Sequence, residues 1–566
     1  MRSLHRQRGA IGLMATATLL MAMMLLALTV DAGRLYFETR KLQRVADMAA
    51  MESASRSGLC GTTAASDVLA LANTAAARHG YAGNLGAGQN SVGLGYVTLN
   101  GTEERRVFTA SASRAEAVRV LATEDVPASL VLGGLWGERL ILQAEAVAQR
   151  PALAAFSLGS GLASLDSQQS SVLNSLLGGM LGTTLSLDAV AYQGLANARL
   201  NLLELNRNLP SAAQVDLSAG DVEQLLDSRM TLDQVLDATV AAANARETLA
   251  VDVRSGLNSL TNVTLGATEV KLADILDVVT PVNGGQQALR TDLSVLDLVT
   301  ALAFLANKAH AVDVALGVNL GLANLGLKLY VIEPPKLAVG LPGTDANGNW
   351  RTQAKTAQIR LEVGGKVNVV AAEVDLALSL TVAQGWAALQ SIDCGSILPG
   401  SRQVSILAKP GVADLRLGRY SQISGANPTV NPVGVNLNIP LLPSTLLSIS
   451  GAANIAPGQQ TPVDFSVTPS QPLPQLQRVA SPAAGSLSQG VSQLSSSMDV
   501  ELLNGCGLLC YLLTPTLNAL IPTLTPLIAS LGQVVLEPVL KLLGIELGYV
   551  DVRLLDLDTP APQLML

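Results

Sequence analysis

Charged side chains are scarce in this chain. Asp, Glu, Lys and Arg make up 14% of its 566 residues and the net balance is only −8, whereas ordinary soluble domains are about one-quarter charged. Beyond the N-terminal tail there is no block of Lys or Arg, so nothing favours nucleic-acid binding, which needs clustered cations against phosphates. Histidine is scarcer still. His5, His79 and His310 are the only three, and none stands in an H-E-x-x-H or Cys/His array that could hold a hydrolytic zinc. There is no G-x-x-x-x-G-K-S/T loop, which argues against a P-loop motor ATPase. Gly159-Ser160-Gly161 lacks nucleophile-elbow spacing and reads as a turn. Asp345-Ala346-Asn347-Gly348-Asn349 offers oxygens at calcium-loop spacing, but its twelfth position is Thr356 rather than a bidentate Glu, so a tight turn between strands is expected. The expectation is therefore a chain with no catalytic, cofactor-binding or metal-ligating residues, and not an enzyme.

Little charge does not mean disorder. Mean hydropathy is +0.37, too apolar for a disordered chain, while 50 Gly and 25 Pro interrupt every long apolar stretch but one. That stretch, Ala10 to Val30, carries no charge and is long enough to cross a hydrocarbon core of ~30 Å at ~1.5 Å per residue. Arg2, Arg6 and Arg8 precede it; Arg34, Arg40, Lys41 and Arg44 follow it, so the flanking cations are nearly balanced. A short basic tail before a long translocated body fits a cytoplasmic N-terminus. No A-x-A site follows the run, which favours an uncleaved anchor over a signal peptide. From Asp31 to about Ser57 a helical rhythm persists, with Leu35, Leu42, Val45, Ala46, Ala49 and Ala50 forming an apolar stripe. One long helix is expected to rise out of the bilayer.

Arg8, Gly9, Asp31, Gly33, Arg34, Leu35, Tyr36, Leu42, Gln43, Ala46, Asp47, Ala49 and Ala50 stand in the run from Arg6 to Ala54. With these residues the run resembles the N-terminal region of TadG-like proteins of tight-adherence (Flp) pilus assembly. The resemblance extends more weakly to about Ala155. It implies a bacterial inner-membrane protein with a periplasmic body, whose partners are other pilus-assembly proteins or pilin subunits. Type IV-like pilins are cut after a Gly and carry Glu five positions later; after Gly9 the fifth residue here is Met14, so the resemblance implies a retained assembly component rather than a processed pilin. Some TadG-like proteins carry a von Willebrand A-type metal site with Asp-x-Ser-x-Ser. The nearest runs, starting at Asp216 and Asp292, lack the last hydroxyl, and no such site is carried over.

The expected class is α+β: an N-terminal transmembrane helix continuing as a long helix, then a multi-domain periplasmic body. Its length suggests about two to four folding units. After the anchor region 1–57, residues 58–155 read as a small α/β unit with an Ala-rich helix from Ser66 to Arg78 and a hairpin turn at Asn100-Gly101. Residues 156–311 read as helix-rich, with an apolar-Leu-Asp triplet at Leu225, Val235, Ile275 and Val295 too irregular for a solenoid; Asp on the wet face of short amphipathic helices is expected. From Val312 the period changes to two, predicting a strand through Leu322 and a mostly antiparallel β domain over 312–455. Residues 456–497, rich in Pro, Gln and Ser, read as a linker, and 498–566 as a helical hairpin plus strand. Pro515, Pro522 and Pro526 argue against a second span in the uncharged stretch from Leu502 to Leu536.

Cys60, Cys394, Cys506 and Cys510 form an even set that could give two disulfides in an oxidising compartment; four buried thiols are the alternative. Cys506 and Cys510 are close enough for a local bridge if their segment is helical, leaving Cys60 to Cys394, although other pairings stay open. Two functions fit: an inner-membrane assembly component acting through protein contacts, or an exported adhesin or minor structural protein of the pilus or cell surface.

Overall fold

The computed structural model describes every residue except 1–7, 57–63, 101–104, 112–113, 131–137, 159–166, 183, 213, 217–221, 247–253, 255–257, 259, 261–268, 281–284, 309, 317–319, 346, 370–371, 394–401, 438–446, 456–458, 481–486, 503–519, 543–548, 560 and 566. The chain is α+β and divides into two compact units. One comprises Met1–Pro151, Asp393–Pro399 and Thr559–Leu566; the other, Ala152–Ile392 and Gly400–Asp558.

The first unit is organised by helix α1, Arg8–Arg56, whose 49 residues contain no proline to break it. Its first half is bare: Leu13, Met24 and Leu28 are 74%, 67% and 66% exposed. Its second half is covered by helix α2, Ala65–Arg78, and by one face of an antiparallel sheet. The sheet has the order β2 (Arg105–Ala110), β1 (Ser91–Asn100), β3 (Ala117–Pro127), β4 (Arg139–Gln149), with Gln563–Leu564 pairing outside β4. Leu42, Val45, Ala46, Ala49, Ala50 and Ala54 pack against Val68, Ala72 and Ala76 of α2 and against Val118, Val120, Ala144 and Ala146 of the sheet. The small alanines let α1 lie close to the sheet, and burying Leu42 alone contributes about 1.5–3 kcal/mol. β3 and β4 pair without a register shift from Ala117↔Gln149 to Pro127↔Arg139.

The second unit has one large core shared by helices and sheets. Its principal sheet runs Ala311–Ala315, Ala323–Glu333, Gln358–Val369, Ala372–Val382, Ala413–Leu417, Leu447–Ile455 and Val433–Leu437, with Asp499–Leu502 joining Leu447–Ile455. A five-stranded sheet is assembled from distant segments in the order Gln475–Ala480, Tyr549–Asp558, Leu153–Leu158, Leu337–Gly340 and Leu276–Val278; its last pair is parallel. A four-stranded sheet combines Gln353–Lys355, Trp386–Asp393, Arg402–Lys409 and Thr461–Val467.

Three expectations need correction. Residues 456–497 are not a linker: Thr461–Val467 pairs with Arg402–Lys409, Gln475–Ala480 pairs with Tyr549–Asp558, and Leu487–Ser496 is a helix. Only two large apolar side chains of the first of these strands, Val463 and Phe465, face the core, so its composition looks like that of a surface segment. Ile275-Leu276-Asp277 does not lie on a helix but leads into the strand Leu276–Val278, and Asp277 is half-buried, accepting the Gln353 N–H at 3.1 Å. The strand expected through Leu322 ends at Ala315.

The stretch Leu520–Leu542 is a continuous helix, and Leu520, Leu524, Ile528, Leu531, Val535 and Val539 belong to the large core. It widens to π geometry over Leu531–Leu536, just before Pro538, whose ring and missing N–H cannot fit an ordinary i→i−4 bond. The other arm of the expected hairpin lies outside the described residues.

Candidate functional site

The residues singled out on α1 fall into two sets along the helix. Leu42, Ala46, Ala49 and Ala50 are buried in the core of the first unit. Between them Gln43 turns to the sheet, its Nε2 donating to the Glu145 carbonyl at 2.9 Å and to Asp47 Oδ1 at 2.8 Å. These residues dock the helix.

The second set stands where the bare half ends. Asp31, 8% exposed, accepts the Leu130 N–H at 2.9 Å and the Ser129 hydroxyl. One turn on, Arg34 donates through Nη2 to the Pro127 carbonyl. Both charges are thus met by the end of the β3–β4 hairpin. Tyr36 lies outside this contact, 56% exposed, with the Arg40 guanidinium 5.1 Å from its ring centroid. Gly33 is half-buried and a Cβ there would meet nothing within 4 Å. A groove of about 570 Å³ runs between helix and hairpin, lined by apolar residues such as Met24, Leu28 and Ala128, with Asp31 and Ser129 the polar exceptions. The side chains of Arg8 and Gly9 lie outside the described residues, as do all four cysteines, Gly159-Ser160-Gly161 and the turn after Asn100. β1 and β2, which that turn was expected to join, do pair antiparallel.

A cluster of charges lies in the second unit. Arg246 Nη2 bridges Asp292 at 2.5 Å and Glu204 at 2.9 Å, and the Asp292 N–H is accepted by Asp556 at 3.0 Å. Hydrogen bonding to Asp292 holds the Arg246 guanidinium well above its usual range. Burial pushes Asp556 up and, with repulsion from Arg553, lowers Arg199 to about 10. No group of three or more His, Cys, Asp or Glu that could hold a metal occurs among the described residues. Asp345 forms a turn, accepting the N–H groups of Asn347 at 2.9 Å and Asn349 at 2.8 Å, which hold its carboxyl below the usual range.

This cluster sits on a feature that periodicity alone missed. Arg199–Asn201, Arg229–Thr231, Glu269–Lys271 and Asp292–Ser294 are three-residue strands, each leading straight into a helical turn, and they pair first with fourth and second with third. Each buries its central residue: Leu200, Met230, Val270 and Leu293. Asn201 and Thr231 close capping boxes with Glu204 and Gln234, and Ser294 caps Asp297 N. The available signal was an N/S/T-x-x-E/Q/D spacing before an apolar run.

A helix uncovered along its apolar half and packed into an α/β sandwich along the other defines a helix-led α/β module, and the comparisons agree. Residues 9–56 match the family described as putative Flp pilus-assembly TadE/G-like, and residues 53–148 match putative Tad-like Flp pilus-assembly. The two matches support a TadG-like assignment of residues 9–148. Residues 169–304, which contain the four strand–helix pieces, match a domain of unknown function (DUF8293). No curated protein and no solved structure matches.

Proposed function

We propose that the chain is an inner-membrane component of Flp-type pilus assembly, held by a single pass of α1 with its N-terminus cytoplasmic and its body in the periplasm. The family match supports a role in pilus assembly. The observation that carries the anchor is the change of exposure along one helix: no part of its most apolar window is buried, whereas Leu42, Ala46 and Ala49 are at most 1% exposed. A bare apolar face of this length is stable in lipid and costly in water. The body acts by binding other pilus-assembly proteins or pilin subunits rather than by catalysis.

Alkaline phosphatase fused after Leu566 should be active and β-galactosidase inactive at the same point. An active β-galactosidase fusion would overturn the orientation. Crosslinking in intact membranes followed by purification should recover pilus-assembly proteins; recovery of the chain in sheared fibres, and not in inner membranes, would instead identify an exported structural protein.

A further inference from the structure

Beyond Val30 the apolar surface of α1 does not stop. At 1.5 Å per residue Asp31 stands about 28 Å from Gly12, at the edge of a ~30 Å hydrocarbon core, and Phe37 about 38 Å from it. Over this extra stretch the only charges before Glu38 are Asp31 and Arg34. Both are contacted by residues of β3 and just beyond it, Asp31 through Leu130 N and the Ser129 hydroxyl and Arg34 through the Pro127 carbonyl, while Arg34 Nε is buried without a hydrogen-bond partner. What remains outward is Tyr36 at 56% and Phe37 at 73% exposure.

The hairpin runs back along α1 toward the bare half. Gln43 meets Glu145, Arg34 meets Pro127 and Asp31 meets Leu130, so descending the helix leads to the hairpin end. There the hairpin exposes apolar side chains too: Leu130 is 62% exposed, Leu140 44% and Ile141 54%. Arg139 and Asp125 pair with each other at 2.9 Å, and the neighbouring Glu138 is exposed. The apolar groove between the two elements continues down onto Leu20, Met23 and Met24 of the bare helix.

We infer that Leu130, just past β3, and Leu140 and Ile141 of β4 are seated in the interface of the membrane that α1 crosses, joining Tyr36 and Phe37 in an apolar collar among the lipid headgroups. The occupant of the collar and groove is phospholipid, because the groove is continuous with the lipid-facing side of the span. This rests on the membrane reading of α1 above and adds to it a second point of contact. The hairpin lowers the cost of Asp31 and Arg34 at the bilayer edge, where aromatic and amphipathic side chains are favoured, and it fixes the sheet against the surface instead of leaving the unit on a free stalk.

The test uses the full chain in phosphatidylcholine vesicles brominated high on the acyl chains. The native tryptophans are removed (Trp136→Phe, Trp350→Phe, Trp386→Phe) and one is introduced at a time: Leu130→Trp, Ile141→Trp, Leu20→Trp and Val107→Trp. Val107 lies toward the opposite end of the sheet, about 40 Å along the strands from Pro127. The expected result is emission at least halved by bromolipid for Leu20→Trp, Leu130→Trp and Ile141→Trp, and unchanged for Val107→Trp. Unquenched, water-like emission from both hairpin variants, with Leu20→Trp still quenched, overturns the inference and leaves the span intact. An unquenched Leu20→Trp overturns the span and the inference with it.

Discussion

Gln43 and Glu145, 102 positions apart in sequence, are joined by a hydrogen bond of 2.9 Å from the amide of one to the backbone carbonyl of the other. The bond lies on the side of α1 whose alanine stripe packs on the sheet, and it is expected to help hold the rotation of the helix about its axis. Gln43→Ala should remove this bond and the one to Asp47, costing about 1–2 kcal/mol. Hydrogen exchange of α1 amides between Arg40 and Ala50 is the measurement; unchanged protection would show that packing alone sets the rotation.

The alanine stripe leaves no room for growth. Ala46→Leu, at a position 0% exposed, should lower stability by about 1–3 kcal/mol or more, since the sheet cannot move away without losing its other contacts. Thr39→Leu, on the exposed side, should be nearly neutral. Thermal unfolding of both variants in the same detergent tests the contrast.

The strand–helix pieces depend on their caps. Thr231→Ala leaves the Gln234 N–H without its acceptor and should destabilise the second unit by about 0.5–2 kcal/mol. Thr231→Ser should recover most of the loss. Urea midpoints of the three proteins decide whether the cap or the threonine methyl matters.

Asp556 carries a pH signature. Its folded pKa is raised from 3.8, first by burial. The folded state therefore holds its proton more tightly than the unfolded chain, and the contribution is fully present below 3.8 and is lost as pH rises through the folded value. Asp556→Asn cannot ionise, and its single amide oxygen keeps one of the two acceptors, since the Asp292 and Leu557 N–H groups are received by different carboxylate oxygens; that loss is the same at every pH. The stability of the variant relative to the parent should increase as pH rises from about 4 to about 7, saturating above the folded pKa. A difference in urea midpoint that falls over that range would contradict the assignment.

We propose that the four cysteines are oxidised, with Cys506 joined to Cys510 and Cys60 to Cys394. The long bridge would then stabilise by about 4–5 kcal/mol less any strain, in the chain-entropy picture. Non-reducing peptide mapping of protein from intact cells tests it: four alkylatable thiols would remove the bridges, and a link between Cys60 and Cys506 would refute the pairing.

The sequence by itself determined the features that depend on neighbours along the chain. The length and apolarity of α1, its continuation as an amphipathic helix, its family, and the alternating strands near Ile359 and Val374 follow from hydrophobic periodicity and local motif, because each is written within a few turns or one strand. Tertiary structure alone decided what pairs with what. Thr461–Val467 looks like linker because only alternate side chains are buried, and Gln475–Ala480 because none of its described side chains is; their partners lie at Arg402–Lys409 and Tyr549–Asp558. Leu153–Leu158 becomes a fully buried strand only because Tyr549–Asp558 and Leu337–Gly340 flank it. The same holds for the motif on α1: Asp31 and Arg34 could be listed from the sequence, but their role required Leu130, Ser129 and Pro127, about a hundred residues away. Backbone donors and acceptors carry no side-chain signature, so only the folded hairpin reveals that it meets those two charges.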